Sequence, residues 1–395
     1  MTALRHLAML TRVLPHHSVG GMQAVAWELA TEFARRGVTV TVLTAEIHGY
    51  PESFEDSGVR VRTLTVVSWR RYGWRWWRTS HEVFARELLG SCDLVLSISA
   101  AGFGLLKLRT QTPTVPFVLQ AHGTSPGEVI SKWRSGSVKA IASSLRNVVW
   151  IARDLSAYRR FDAIVAVGSG VATDLSTPPI ARFIDQERLK LIRNGIDTTV
   201  FKPDIEGRLI RRTELICRHD HKIILSVSRL HKQKGLDLGL AAFSLLLRQA
   251  PDMRYIIVGD GPELAALRRR ARQLGISDHV QFTGVLPRKT IASYLNAADA
   301  FLFTSRRIEG NPLNILEALA VGLPVVASQQ LCRYLPPSER LLFADHTDAA
   351  AVAAALRDAL EIEPCGTNML PSGCSMTESV DAYLNLFDEL IARHT

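Results

Sequence analysis

Short apolar runs alternate with longer amphipathic stretches along the first half of the chain. The apolar runs predict strands, because they are bounded by polar or turn-forming residues and are too short for helices. These predicted strands are Leu7–Leu10, Val38–Leu43, Leu94–Ile98, Phe117–Gln120, Ala163–Val167 and Lys190–Ile192. Between the first two, Met22–Arg36 has the apolar spacing of a helix, and Gly37 ends it. Alternating strands and helices predict a parallel, doubly wound sheet.

The second half repeats this alternation. Its predicted strands are Ile223–Ser226, Tyr255–Val258, Val280–Thr283, Ala300–Phe303 and Pro324–Ala327, with helices between them such as Leu236–Gln249 and Glu263–Leu274. Asn194–Asp197 is the predicted linker between the halves, and a final helix is predicted at Glu378–Arg393. The fold class is therefore α/β, with two Rossmann-like, doubly wound domains. Such domains bind ligands at the carboxyl ends of their strands, so a central cleft faced by both sheets is the expected site.

The composition fits a globular protein of two domains. The chain has 395 residues, of which 47% are hydrophobic and 22% are charged, enough for two cores. Its five cysteines show no metal-ligand spacing, which favours a reducing, cytoplasmic location. We expect no signal peptide and no membrane span, because no apolar run reaches the ~18 residues that a span needs. The net charge of +9 favours an anionic partner.

Two acids, Glu309 and Glu317, bracket the segment that follows the predicted strand Ala300–Phe303. Asn311 suits the N-cap of the next helix, and Pro312 suits its first position. A helix N-terminus that faces a crevice is an anion site. Two carboxylates on either side of it could hold hydroxyls on either side of a phosphate, which is the layout of a nucleotide sugar. The alternative is that both acids are solvated helix charges.

A basic segment, 228–235, follows the first predicted strand of the second half. Arg229 and Lys234 are expected at the carboxyl edge of the sheet. There the forked guanidinium and the compact ammonium could together neutralise a pyrophosphate. An isolated basic cluster is more often a solvated turn, and only the position at a strand end favours the functional interpretation.

Three further features are weaker signals. Gly259–Glu263 resembles a dinucleotide-binding glycine motif without its third glycine, and a plain turn explains it equally well. Gly20 and Gly21, after the first strand, allow a ligand to approach the backbone closely. His122, at the end of an apolar strand, could donate to a sugar hydroxyl or carbonyl, although a lone histidine there is more often structural.

The stretch Arg60–Arg78 contains six arginines, four tryptophans and no acid. This composition suits an anionic membrane surface, or stacking on single-stranded nucleic acid. The alternative is an ordinary loop whose tryptophans pack into the domain. A second amphipathic candidate is Val138–Tyr158.

Taken in order, these motifs resemble the retaining, GT-B-fold glycosyltransferases of family 4, nearly from end to end. The order and spacing of the following pieces support the resemblance: Gly20–Gly21, Gln120–Gly123, Asn194–Asp197 with Phe201, Ser228–Leu230 to Gly235, Val258–Pro262, Val280–Gly284, Glu309 to Glu317, and Gly322–Ser328. The resemblance implies that residues 1–200 are an acceptor domain, that 376–395 pack back on it, and that 201–375 are a nucleotide-sugar donor domain.

The resemblance also implies roles for individual residues. Arg229 and Lys234 would hold the diphosphate of a UDP- or GDP-sugar, and Glu317 would bind its ribose. Glu309 would bind the transferred sugar. The remaining implied contacts are His122 with the donor sugar, the backbone of Gly310, Asn311, Pro312 and Leu313 beside that sugar, Val285 and Leu286 beside the base, and Gly20 and Gly21 beside the phosphates and the acceptor. No metal ion and no cofactor is expected.

The chain departs from the family pattern in two places. A bulky residue usually follows the Glu-Gly pair, but here Asn311 does, which alters the expected sugar pocket. A glycine-rich stretch with a further acid usually follows the last motif, but Gln329–Pro337 replaces it. The phosphate contacts of that loop are therefore not carried over to this chain.

The expected activity is transfer of a sugar to an acceptor hydroxyl with retention of the anomeric configuration. No acid pair has a double-displacement layout and no Asp-x-Asp is placed to hold a metal, so Arg229 and Lys234 are expected to stabilise the leaving diphosphate. We expect a lipid-linked acceptor, in glycolipid or polysaccharide synthesis, and peripheral association with an anionic membrane surface. A GT-B-fold sugar-nucleotide epimerase is the rival enzyme. A basic module that binds membrane or nucleic acid is less favoured, and nucleic acid is not an expected partner.

Overall fold

The computed structural model describes residues 3–18, 20–65, 72–123, 150–215, 221–307, 309–335, 339–364 and 366–394. Its contacts divide the chain into two compact units, Met1–Gly195 with Gly373–Thr395, and Ile196–Ser372. The predicted boundaries fell at residues 200 and 375. The first unit ends earlier because the Phe201 amide donates to the Asp197 carbonyl (2.9 Å) in a turn. Phe201 is buried under Arg288, so this whole turn belongs to the second unit.

The first unit contains strands β1 (His6–Leu10), β2 (Thr39–Ala45), β3 (Ser53–Asp56), β4 (Val59–Leu64), β5 (Leu94–Ile98), β6 (Phe117–Ala121), β7 (Ala163–Ala166) and β8 (Leu189–Leu191). Its helices before the linker are α1 (Gly21–Arg35), α2 (Trp74–Glu87) and α3 (Ser169–Ser176), and residues 150–158 are also helical.

The second unit contains β9 (Lys222–Val227), β10 (Met253–Val258), β11 (Val280–Gly284), β12 (Ala300–Phe303), β13 (Val325–Ser328) and β14 (Leu341–Ala344). Its helices are α4 (Ile205–Glu214), α5 (Leu236–Leu247), α6 (Leu264–Gln273), α7 (Arg288–Ala297), α8 (Leu313–Ala320) and α9 (Ala349–Leu360). The last helix, α10 (Met376–His394), belongs to the first unit.

Every strand named from the sequence is present, with ends that differ by no more than two residues from the prediction. β3, β4 and β14 were not predicted. β3 and β4 form an antiparallel hairpin joined by Ser57 and Gly58, whose φ angles of 51° and 77° suit a two-residue hairpin turn. In β4 the buried Val59 and Val61 alternate with arginines, a period-two pattern that the arginine-rich composition obscured.

The first sheet has the order β3-β4-β2-β1-β5-β6-β7-β8, and every neighbouring pair except β3 with β4 is parallel. The carboxyl ends of β1, β5 and β6 therefore lie side by side at one edge. α10 packs against α1, because its Tyr383 and Phe387 lie one turn apart and both contact Phe33, with ring centroids 6.1 and 5.7 Å away.

The second sheet is parallel throughout, in the order β11-β10-β9-β12-β13-β14. The chain leaves β9 towards β10 on one side and later returns to β12 on the other side. The strand order thus reverses between β9 and β12. In open α/β sheets the carboxyl edge at such a switch point is where ligands bind.

Parts of three interpretations lie outside the described residues. They are 66–71 of the Arg60–Arg78 stretch, 138–149 of the second amphipathic candidate, and 336–337 of the loop after β13. Within the described ranges, no helix is long and apolar enough to cross a bilayer.

Candidate functional site

Lys234 and Glu309 form an ion pair at the carboxyl edge of the second sheet. The Lys234 Nζ lies 2.8 Å from the Glu309 Oε1. Lys234 ends a short 3-10 turn after β9, and Glu309 lies in the loop after β12, so the pair spans the switch point. Their side chains are 21% and 20% exposed, which shields the pair from bulk water and still leaves a ligand access to both groups.

Gly235 fixes the position of Lys234 against β12. Its φ of 65° is a left-handed conformation that favours glycine, and a Cβ at this position would overlap the Thr304 carbonyl oxygen. The Thr304 hydroxyl in turn donates to the Gly235 carbonyl (2.9 Å) and the Lys234 carbonyl (3.2 Å). The turn after β9 is therefore held directly on the end of β12.

The Glu309 carboxylate has a second partner that the sequence analysis did not identify. The Ser305 hydroxyl donates to the same Oε1 (3.1 Å). Gln330 supports this loop, because its Nε2 donates to the carbonyls of Ser305 (2.7 Å) and Arg307 (3.1 Å). Gln330 belongs to the atypical loop after β13, so that loop orients Glu309 through the backbone. The sequence signal that could have identified Ser305 and Gln330 is their position, because each lies two residues past the end of a strand.

Glu317 is buried and paired with an arginine. The Arg288 Nη1 donates to its Oε1 (2.7 Å), and only 4% of Glu317 is exposed. Burial raises the pKa of the Glu317 carboxyl, and Arg288 opposes part of that rise. Arg288, which the sequence analysis also missed, begins α7 just past Val285 and Leu286. Val285 is 55% exposed at the end of β11 and Leu286 is half-buried.

The start of α8 differs from the prediction. Pro312, with ψ of 100°, is the N-cap and Leu313 is the first helical residue, whereas Asn311 was expected as the N-cap. The reason is that the extended ψ of Pro312 takes it out of the helix. Gly310 and Asn311 are half-buried, and Pro312 and Leu313 are buried. Asn314 donates to the carbonyl of Val227, which ties the start of α8 to the end of β9.

Arg229 is exposed, and its guanidinium makes no hydrogen bond or ion pair with any residue that the structure describes. Its loop is held by the glycine segment after β10. Cβ atoms at Gly259 and Gly261 would overlap the carbonyl oxygens of Ser228 and Leu230, and the two glycines have φ of 133° and 159°. These glycines therefore allow two strand-end loops to pack closely, which agrees with the plain-turn interpretation.

In the first unit, His122 and the Gly20–Gly21 pair lie at the same edge of one sheet. Gly20 caps α1 and Gly21 is its first residue. The His122 Nε2 lies 2.8 Å from the Gln120 Oε1, and the Gln120 Nε2 donates to the Tyr383 hydroxyl (2.7 Å). Burial lowers the pKa of His122 to about 4, so the imidazole is neutral near pH 7.

The described part of the Arg60–Arg78 stretch is divided between core and surface. Trp76 is buried, and its Nε1 donates to Ala101 (2.8 Å). Trp77 is half-buried, and its Nε1 donates to Ala100 (2.9 Å). Trp74, in contrast, is 65% exposed. Trp76 and Trp77 therefore pack into the domain, as the alternative to a membrane or nucleic-acid surface predicted.

Solved structures share this fold over nearly the whole chain. Sucrose-phosphate synthase from Thermosynechococcus elongatus superposes with a TM-score of 0.73 and 20% identity, over 98% of each chain. The Anabaena protein Alr3699/HepE in complex with UDP-glucose gives a TM-score of 0.69 and 17% identity, also over 98% of each chain. The fold is GT-B, a class of two Rossmann-like domains, which confirms the predicted fold class.

Sequence comparisons assign the family. Models described as "Glycosyltransferase Family 4" and "Glycosyl transferases group 1" match residues 19–200 and 210–370. The GDP-mannose-dependent alpha-(1-6)-phosphatidylinositol monomannoside mannosyltransferase of Mycolicibacterium smegmatis is 31% identical over 346 residues, 80% of this chain and 85% of that enzyme. The alpha-monoglucosyldiacylglycerol synthase of Streptococcus pneumoniae is 35% identical over 141 residues, 35% of this chain and 32% of that enzyme. The chain belongs to glycosyltransferase family 4, as the resemblance predicted.

Proposed function

We propose that this glycosyltransferase moves a sugar from a UDP- or GDP-sugar to an acceptor hydroxyl, with retention at the anomeric carbon. The observation that supports the proposal is the Lys234–Glu309 pair at the switch point, which joins a cation and a carboxylate across 2.8 Å. A nucleotide sugar has a phosphate next to its transferred sugar. The ammonium suits the phosphate and the carboxylate suits the sugar hydroxyls, so adjacent protein groups match adjacent parts of the donor.

In the proposed reaction, the bond between the anomeric carbon and the β-phosphate oxygen breaks as the acceptor oxygen bonds to that carbon. The departing diphosphate gains negative charge, which Lys234 and Arg229 stabilise. A phosphate oxygen on the same face takes the acceptor proton, so no protein base is needed. This route is proposed to need no metal ion or cofactor, and activity that EDTA leaves unchanged is the expected result.

The remaining residues bind and orient the donor. Glu309, held by Ser305, accepts hydrogen bonds from the transferred sugar. Glu317 takes the ribose hydroxyls and Val285 lies beside the base. His122 is neutral near pH 7 because burial lowers its pKa. It therefore forms a hydrogen bond with a sugar hydroxyl and adds no charge.

The acceptor is proposed to be lipid-linked and reached at an anionic membrane surface. Two relatives are named for compounds that contain phosphatidylinositol and diacylglycerol. On this chain the exposed Trp74 has the Arg75 guanidinium 5.6 Å from its ring centroid, and Arg78 is also exposed. An amphipathic aromatic ring flanked by arginines suits the level of lipid headgroups.

A thermal-shift screen of UDP-, GDP- and ADP-sugars tests the proposed donor. A bound donor stabilises the folded chain by mass action, by about 2.7 kcal/mol at a hundred times its Kd. We expect one sugar nucleotide to raise the Tm, and release of its nucleoside diphosphate to require an acceptor. Consumption of the donor alone would favour the rival epimerase. The absence of any shift with all three nucleotides would contradict the proposal.

A further inference from the structure

Arg12 lies two residues beyond β1 and has no anionic partner among the residues that the structure describes. Its Nε is buried without a hydrogen bond, and no described residue forms an ion pair with its guanidinium. Its guanidinium lies over the ring of Tyr72, whose centroid is 4.6 Å from the guanidinium carbon. Burial lowers the pKa of Arg12 from its ordinary value. Partly buried cations normally have an anion beside them, and here the described chain supplies none.

Ser99, just beyond β5, has an unusual backbone conformation. Its φ is 52°, in the left-handed region that non-glycine residues seldom adopt. Ser57 shares this sign of φ, but it belongs to a hairpin turn that requires it. Ser99 instead begins a 3-10 segment, Ser99–Lys107. Strained residues of this kind concentrate at ligand sites.

Three ring side chains hold this strained turn in place by donating to the carbonyls around Ser99. The bonds run from Tyr72 Oη to Ile98 (3.2 Å), from Trp77 Nε1 to Ala100 (2.9 Å) and from Trp76 Nε1 to Ala101 (2.8 Å). The Ser99 hydroxyl itself has no hydrogen-bond partner among the described residues, which leaves it available to a ligand.

Arg12 and Ser99 lie at equivalent positions beyond the ends of two adjacent strands. Leu10 of β1 pairs with Ser97 of β5, and Arg12 and Ser99 each lie two residues further along. Tyr72 contacts both segments, since its ring lies under the Arg12 guanidinium and its hydroxyl donates to the carbonyl of Ile98, the residue before Ser99. A cation and a hydroxyl that have no hydrogen-bonding or anionic partner among the described residues thus follow adjacent strands at the carboxyl edge of the first sheet.

We propose that Arg12 and Ser99 bind an anionic group, a phosphate or a carboxylate, on the sugar acceptor. The inference rests on the proposed glycosyl transfer and deepens it by naming the acceptor's chemistry. A guanidinium beside a hydroxyl donor suits an oxyanion, because both donate to its oxygens. His122 follows β6, the strand next to β5. The anionic group therefore binds within roughly 10 Å of it, about two strand spacings.

Calorimetric titration with inorganic phosphate tests this site without a donor. The titration uses a background with both Arg229→Gln and Lys234→Gln, because the proposed diphosphate site also takes phosphate. We expect saturable binding that Arg12→Gln weakens by about tenfold or more and Ser99→Ala by several-fold. Arg159→Gln is the matched control: it removes an arginine that stacks on Phe183 (4.7 Å) and precedes β7, at the opposite edge of the sheet. It should leave binding unchanged.

Phosphate binding that survives Arg12→Gln, in protein whose Tm is unchanged, overturns the proposal. If Arg12→Gln lowers the Tm, Arg12→Lys is used instead, because it keeps the positive charge. We then expect an affinity for phosphate between those of the background protein and Arg12→Gln. Glycerol 3-phosphate and phosphatidylglycerol vesicles distinguish a soluble from a lipid-borne group, and dependence on Arg12 with either one supports the site. If phosphate binding depends on Arg12 but no sugar nucleotide stabilises the chain, the anion site is supported and the proposed glycosyl transfer is contradicted.

Discussion

Arg288 donates a 2.7 Å hydrogen bond to Glu317, and its positive charge balances a carboxylate that is almost fully buried. The two residues lie at the beginning of α7 and within α8, so they also fix two helices beside the same sheet edge. The guanidinium stacks on Phe201 as well, 4.8 Å from its ring centroid. This charged pair and the ring of Phe201 thus connect the start of α7 with the middle of α8.

Arg288→Gln should destabilise the protein by about 3 kcal/mol near pH 7, because it leaves a buried carboxylate unpaired. The cost should shrink in acid. Burial already raises the folded pKa of Glu317 above its ordinary value, and losing Arg288 raises it further. The folded variant then holds that proton more tightly than the unfolded chain, so stability falls as pH rises through the folded pKa.

Urea unfolding of Arg288→Gln at several pH values above about 4 measures this dependence. Arg288→Gln combined with Glu317→Gln is the control, since it removes the titrating group and should flatten the profile. A difference between Arg288→Gln and wild type that stays constant with pH would contradict the account.

Lys234→Ala should lower kcat on the order of 100- to 1000-fold, because the leaving diphosphate loses a positioned cation. The Tm should change little, as the side chain is partly exposed. Lys232→Ala is the matched control, since Lys232 lies in the same turn but is exposed. Steady-state kinetics with the donor found in the screen measure both variants. Full activity in Lys234→Ala would remove Lys234 from the mechanism.

Gly235→Ala should cost about 3 kcal/mol, because a left-handed alanine is strained and its Cβ overlaps the Thr304 carbonyl. Gly275→Ala provides the comparison. Gly275 has a similar φ, 70° against 65°, but nothing lies within 4 Å of its Cβ position. It should therefore lose only about 1 kcal/mol. Equal losses in thermal unfolding would show that the contact with Thr304 is unimportant.

His122→Asn should make the protein less sensitive to acid. The folded pKa of His122 is lowered to about 4 by burial, from an ordinary value of 6.5. Between these pH values the unfolded chain gains a proton that the folded chain does not, so stability falls as pH drops from 6.5 towards 4. The loss is about 3 kcal/mol. Parallel unfolding profiles of wild type and variant across this range would be evidence against a partly buried imidazole that stays neutral.

Trp74→Ala should weaken binding to vesicles that contain anionic lipid by about tenfold, because a ring that enters the headgroup region is lost. Tyr50→Ala is the control, as Tyr50 is also exposed, 49%, but its ring packs against Phe54 with the ring centroids 4.9 Å apart. Co-sedimentation at low and high salt measures the effect. Wild-type protein that stays in the supernatant even at low salt would contradict the proposed membrane association.

Buried parallel strands could be predicted well because both faces are covered and the residues form continuous apolar runs. Leu94–Ile98 and Ala300–Phe303 agree with the structure residue for residue. β14 was missed because it is a short strand at the edge of the described sheet, beside β13, and its two central residues are half-exposed. An apolar run of this kind cannot be told from a loop by its pattern.

Residues of the candidate site could be predicted only where their distance from a predicted strand end determines where they lie in the fold. Lys234 and Glu309 follow strand ends, and they were expected at the sheet edge for that reason. Arg288 is 29 positions from Glu317, and no local pattern reports a contact at that separation. Composition likewise could not separate Trp74 from Trp76. The two residues are only two positions apart on α2, yet Trp74 is exposed and Trp76 lies in the core.

The hydrogen bond between Gln120 and Tyr383 joins residues 263 positions apart. The first sheet can form while the ribosome is still translating the second unit. The Gln120 amide, however, must wait for α10 before it has its partner. His122 therefore acquires its final orientation only after α10 has been synthesised, and a nascent chain with a complete β6 does not yet have a finished histidine site.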